Sequence, residues 1–144
     1  MKCADVAFRS GNETLQATLY GDVSSTSHAG VLLCPPHPLY GGNRHDTRIV
    51  KVAQELAKHD WSALCIDYGS YGKGVREVHN VMDAVAFLRQ KGVSSIGLVG
   101  YSFGSVVASN VASACADVDG FAAMSILRHV NGLTAKLDSD CPKL

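Results

Sequence analysis

One pentapeptide constrains this chain more than any other feature: Gly100-Tyr101-Ser102-Phe103-Gly104. This G-x-S-x-G pattern lies between an apolar run, Ile96-Gly97-Leu98-Val99, and a stretch of small residues from Ser105 to Ala114 that reads as a helix. Strand, sharp turn and helix in that order are what a nucleophile elbow requires. Such a turn forces its central residue into a strained backbone, and bulky neighbours would collide there. Glycine two positions before and two after Ser102 removes the collision. The hydroxyl is then presented above the sheet edge, beside the positive end of the following helix. On the residues alone, a tight strand-to-helix turn carrying an uninvolved serine also fits.

The rest of the chain supplies a matching frame. Val6 and Phe8, then Leu15, Ala17 and Leu19, alternate with polar residues around Ser10-Gly11-Asn12-Glu13, which predicts an antiparallel hairpin. Residues 21–30 read as a polar loop. Val31-Leu32-Leu33-Cys34 and Ala63-Leu64-Cys65-Ile66 are short continuous apolar runs, the mark of strands buried on both faces. Between them Ile49, Val52, Ala53 and Leu56 follow helical spacing, with Asp46 or Thr47 as cap. A glycine-rich loop spans Gly69 to Gly74. Val78, Val81, Met82, Val85 and Leu88 mark a second helix that Gly92 stops, and 121–127 reads as a further strand. Buried strands alternating with amphipathic helices predict an α/β protein: a mostly parallel twisted sheet with helices on both faces and an N-terminal antiparallel hairpin. No internal repeat or boundary divides the chain, so residues 1–144 are expected to form a single domain.

Charge and cysteine usage exclude several function classes. Thirteen Lys and Arg balance thirteen Asp and Glu, so nothing draws the protein to nucleic acid or to an anionic membrane. No apolar run reaches the length of a membrane span, and the N-terminus lacks the apolar core of a signal peptide, which predicts a cytoplasmic protein. Five cysteines (3, 34, 65, 115 and 141) form no C-x-x-C, and an odd number of them points to reduced thiols. Six histidines are scattered without metal-ligand spacing. No metal or cofactor is expected. Gly97, Gly100 and Gly104 do not make the G-x-G-x-x-G of a dinucleotide site.

With these elements in place the chain resembles the α/β hydrolases, in particular the small esterase-like and dienelactone-hydrolase-like members without a large lid. The elbow carries the resemblance. So does His37-Pro38-Leu39-Tyr40-Gly41-Gly42, which is similar to the family's H-P-x-x-G-G loop after the third strand. Asp67-Tyr68-Gly69-Ser70-Tyr71-Gly72-Lys73-Gly74 resembles its glycine-rich turn after the fourth, without the arginine common there. The resemblance implies Ser102 as nucleophile toward a carboxylic ester or similar small acyl compound. It implies an oxyanion hole from the amides of Phe103 and Leu39, and a substrate loop containing His37, Tyr40, Gly41 and Gly42. A proline-glycine turn without a ligand fits that loop too, with His37 bonded to neighbouring backbone.

The departure from the family is at its C-terminal side. There the acid and the histidine follow the nucleophile in chain order, after the seventh and eighth strands. This chain reaches Asp140-Cys141-Pro142-Lys143-Leu144 where a seventh strand would begin, and the last two β-α units are expected to be missing. Asp117 or Asp119 with His129 has the right order, which makes His129 a candidate base. Three expectations follow: a fragment of a longer hydrolase that is inactive by itself, one half of a two-chain hydrolase completed by a C-terminal half, or a non-catalytic binding relative that forms a homodimer through an open sheet edge.

Overall fold

The computed structural model describes residues 2–24 and 28–144; residues 25–27 of the predicted 21–30 loop lie outside them. Among the described residues, eight strands, three α-helices and one 3-10 turn follow each other in the order β1 (Cys3–Ser10), β2 (Glu13–Tyr20), β3 (Ala29–Cys34), the turn Pro38–Tyr40, α1 (Thr47–Lys58), β4 (Ser62–Ile66), α2 (Val75–Gln90), β5 (Ser95–Tyr101), α3 (Phe103–Ala114), β6 (Gly120–Met124), β7 (His129–Val130) and β8 (Leu133–Thr134). Six strands form one sheet in the order β1-β2-β4-β3-β5-β6. The β1–β2 hairpin joins antiparallel to β4, and β4, β3, β5 and β6 run parallel. The mixed sheet and its leading hairpin are those expected from the alternation of patterns.

Alternation within the buried runs decides what covers each face. Val31, Leu33, Ala63 and Cys65 turn to one side and pack with Tyr20 and with Ile49 and Ala53 of α1. Leu32, Cys34, Leu64, Ile66 and Leu98 turn to the other, against Val81, Val85 and Leu88 of α2 and Phe103, Val107 and Val111 of α3. The two central strands are therefore apolar throughout, because neither face meets water. Cys34 and Cys65 are among these buried residues, and all five cysteines are free. Burial pushes the Cys65 thiol up to about 12 and the Cys34 thiol higher still, so both stay protonated.

Several boundaries differ from the sequence reading, each for a local reason. β3 begins at Ala29, two residues early, by pairing with Ser95 of β5. α2 begins at Val75 because buried Glu77, at its third position, accepts the amides of Gly72 (2.8 Å) and Gly74 (2.7 Å) and so starts the helix a turn early. β6 stops at Met124 rather than 127, since Ser125 turns to φ 53. The β7–β8 hairpin was not expected. Its turn is Asn131-Gly132 at φ 48 and 91, the left-handed pair that suits an N-G dipeptide. Residues 142–144 run parallel alongside β6, with Phe121 donating to Pro142, Leu144 to Phe121 and Ala123 to Leu144. That edge of β6 is thus paired over these residues. Among the described residues no helix is long and apolar enough to cross a membrane.

Asp46 caps α1: its carboxylate accepts the Arg48 amide at 3.0 Å and is held at 2.6 Å by the Arg48 guanidinium. The Arg48 bond first, and the amide after the burial that opposes it, hold this carboxyl below its ordinary value. Because the folded value is depressed, the stabilisation is full above the unfolded value of about 3.9 and fades as pH falls through the folded one. Asp46→Ala is expected to cost about 1 kcal/mol at pH 7, measured by urea unfolding. The gap from wild type should narrow as pH falls below about 3.9; a gap that stays constant throughout the acid limb contradicts the role.

Candidate active site

β5 ends at Tyr101, α3 begins at Phe103, and Ser102 is the single residue between them. Its backbone sits at φ 53, ψ −115, a conformation that costs a non-glycine residue roughly 1–3 kcal/mol. Hydrogen bonds hold it there. The Ser102 amide donates to the Met124 carbonyl at 2.8 Å, and the Ser105 hydroxyl donates to the carbonyls of Gly100 (2.6 Å) and Met124 (3.0 Å). Both glycines of the pentapeptide are explained by contact. A Cβ on Gly100 would stand 2.4 Å from the Gly104 carbonyl oxygen, and one on Gly104 would stand 2.2 Å from that of Cys34. The corner is therefore an elbow, and the Ser102 side chain caps no amide of α3. The first amides of that helix, including that of Phe103, have no intrahelical partner, and no acidic residue stands in its first turn.

Ser102 opens onto a cleft of about 510 Å³. Leu39, Tyr40, Phe103, Leu127 and Val130 supply its apolar lining, and His37, Tyr71, Lys73 and Asn131 are the other lining residues. The loop from Pro35 to Gly42 is stiff. His37 caps the 3-10 turn, its carbonyl accepts the amides of Tyr40 and Gly42 at 3.0 Å each, and Gly41 closes the turn at φ 85. Gly42 lies so close to the chain that a Cβ would stand 2.1 Å from the Pro36 carbonyl oxygen. The Leu39 amide donates to His37 Nδ1 at 3.2 Å. That ring packs between Tyr40 and Phe103, each 4.7 Å away between centroids, with Tyr71 at 5.2 Å. His37 thus has the structural role that its position next to Pro38 allowed: it orders the loop and binds the amide assigned to the oxyanion hole. Loss of solvent, and then the charge of Glu77, raise the Tyr71 hydroxyl above its ordinary value, and it stays a neutral hydrogen-bonding group.

The structure brings Ser102, Phe103, Leu39, His37 and Tyr40 to one cleft, with Gly41 and Gly42 behind them. His129 is not among the lining residues. It is exposed on β7, and side chains alternate along a strand, so the inward place belongs to Val130. Asp119 accepts the Ile96 amide at 2.9 Å, at the start of β5. Ser102 lies beyond the other end of that strand, about 20 Å along it at the usual rise. The ordered set of Ser102, an acid at 117 or 119 and His129 is therefore not assembled here. Asp138 is bonded to Ser113 on the surface. Among the described residues no cluster of His, Cys, Asp or Glu could hold a metal.

No family profile matches the chain. Solved structures match it closely. A serine hydrolase without lid from Xanthomonas campestris superposes with a TM-score of 0.83 at 16% identity, covering 99% of this chain and 68% of that one. The chain has the α/β-hydrolase fold. A serine hydrolase homologue from Coxiella burnetii gives 0.77 at 21% identity, over 85% of this chain and 62% of that one. A Pyrococcus furiosus esterase gives 0.75 at 21%, over 87% and 52%. An uncharacterized protein of Rickettsia prowazekii (strain Madrid E) is 28% identical over 115 residues, 74% of this chain and 48% of that protein. The chain thus spans about half the length of the curated relative it matches. At these identities the likeness to solved structures is one of fold.

Sequence reasoning missed Tyr71, Lys73, Leu127, Val130 and Asn131 as lining residues. The Asn131-Gly132 dipeptide between Val130 and Leu133 was a readable hairpin signal. Nothing in the sequence says that this hairpin folds over the elbow.

Gly104→Ala drives a methyl into the Cys34 and Pro35 carbonyls, neither of which is a flexible side chain. We expect a loss of about 3 kcal/mol in urea unfolding, or no folded protein. A variant as stable as wild type would falsify the close approach of α3 to β3.

Proposed function

We propose that Ser102 is the nucleophile of a hydrolase acting on a carboxylic ester or a related small acyl compound. The observation that carries this is its left-handed, hydrogen-bonded corner between β5 and α3, opening on an apolar cleft. In the proposed reaction Ser102 Oγ attacks the acyl carbonyl and the alcohol leaves, giving an acyl-enzyme that water then hydrolyses. The developing oxyanion takes N–H donors from Phe103 and from Leu39, whose amide is released from His37 Nδ1 as the carbonyl oxygen arrives. Leu39, Tyr40, Phe103 and Leu127 surround the acyl chain, and the Gly41-Gly42 backbone shapes the wall. The chemistry asks for no cofactor. A cytoplasmic setting goes with this reading, since all five cysteines are free.

A serine needs a base, and among the described residues no imidazole is hydrogen-bonded to the Ser102 hydroxyl. We propose that the base and its acid come from chain beyond these 144 residues, in a longer product or in a second, complementing half. The chain alone is then nearly inert. Loss of the base costs about a million-fold in turnover, while an oxyanion hole and binding by themselves keep roughly a thousand-fold over water. The second reading, a non-catalytic binding relative, is favoured by the same exposed position of His129.

The test compares hydrolysis of p-nitrophenyl butyrate, and capture of a fluorophosphonate, by the 144-residue chain and by the product of the gene read through its downstream codons. Turnover should appear in the longer product, exceed that of the short chain by about 10⁵-fold, and fall by at least about 10⁴-fold in Ser102→Ala. A folded long product that neither turns over the ester nor is captured at Ser102 establishes the binding reading instead.

A further inference from the structure

The charge lining this cleft is one-sided. Lys73 is the one lysine or arginine among the lining residues, and no carboxylate joins it. Among the described residues Lys73 forms no ion pair and no hydrogen bond. The nearest acid in sequence is Glu77, which is buried and gives both its oxygens to the amides of Gly72 and Gly74. α3 also ends its positive pole at the elbow with no acid in its first turn.

The loop that presents Lys73 is fixed rather than loose. Glu77 grips it one residue before and one residue after the lysine. A Cβ on Gly74 would stand 2.8 Å from the Leu133 side chain, so the loop lies against the β7–β8 hairpin that also lines the cleft. Lys73 itself stands at φ 56 between two glycines. Glycine takes that conformation without strain and lysine does not. The costlier residue stands where the cleft opens.

We propose that Lys73 is a specificity residue that selects esters carrying a second, ionised carboxylate. This rests on the hydrolase reading above. The apolar walls hold the carbon chain, and the ammonium meets the distal carboxylate. Other clusters give less. In the polar cleft lined by Ser10, Glu13, Ser70 and Asp83 the carboxylates are already engaged: the Ser10 hydroxyl donates to Asp83 at 2.7 Å and Glu13 accepts from the Ser70 amide.

The test uses the full gene product. It compares kcat/KM for half-esters of dicarboxylic acids, from succinate to adipate, with that for neutral esters of equal length and the same alcohol. Acetyl esters of hydroxy acids place the charge on the alcohol side. For the better-placed charge, Lys73→Met should lower the ratio of charged to neutral ester by roughly fivefold and Lys73→Glu by roughly fivefold again. The readout is the charged-to-neutral ratio, in which any effect common to both esters cancels, and 0.5 M salt should erase most of the preference. A ratio unmoved by both substitutions, with Ser102-dependent turnover intact, overturns the role of Lys73 and leaves the hydrolase reading standing. Absence of Ser102-dependent turnover of either ester sinks both.

Discussion

Everything at the centre of this molecule depends on how closely α3 can approach the ends of β3 and β5. Gly104 lies against the carbonyls of Cys34 and Pro35, and Gly100 lies against Gly104 and Ser105. No side chain fits between them. With that approach made, Ser102 has no relaxed conformation left and is driven to positive φ, its amide tied to Met124 and its neighbour Ser105 clamping Gly100. The strain at Ser102 is small against the burial of Phe103, Val107 and Val111 on the same helix, each of which is worth about 1.5–3 kcal/mol. The core thereby holds one residue in a conformation it would not adopt alone.

The same logic of fixed backbone extends outward from the elbow. Pro38 and the two glycines after it hold the Leu39–Gly42 wall, with the His37 ring wedged between Tyr40 and Phe103. The Tyr68 hydroxyl reaches the Pro35 carbonyl at 3.0 Å and ties the loop after β4 to the loop after β3. Burial keeps that hydroxyl protonated far above ordinary pH, so the tie holds wherever the protein is folded. Buried Glu77 does the same work beneath residues 72–74. The loops after β3 and β4 are thus held beside the elbow after β5, and the cleft lies where the three meet. This is the usual place for a site in an open α/β sheet, beyond the carboxyl ends of the strands.

Much of this was legible in the sequence. Continuous apolar runs gave the central strands, helical spacing gave α1 and α2, and the pentapeptide located the elbow within a residue. The loops were legible as loops from their proline and glycine, while a substrate loop at His37–Gly42 was only what the family resemblance implied. Ser125 was read as strand since Ile126 and Leu127 extend the apolar run. The Ser125 φ of 53 ends the strand there and leaves Leu127 exposed enough to line the cleft.

Local chemistry, then, determined the order of elements and the place of the serine. A residue's backbone limits and the period of its neighbours are properties of the chain itself. Which side chains face that serine was decided only by tertiary packing. Val130 rather than His129 points inward because a two-residue strand pairs in one register and not the other. Asp119 is remote because the length of β5 separates it from Ser102. Such facts depend on where distant segments come to rest, and no residue carries that information by itself.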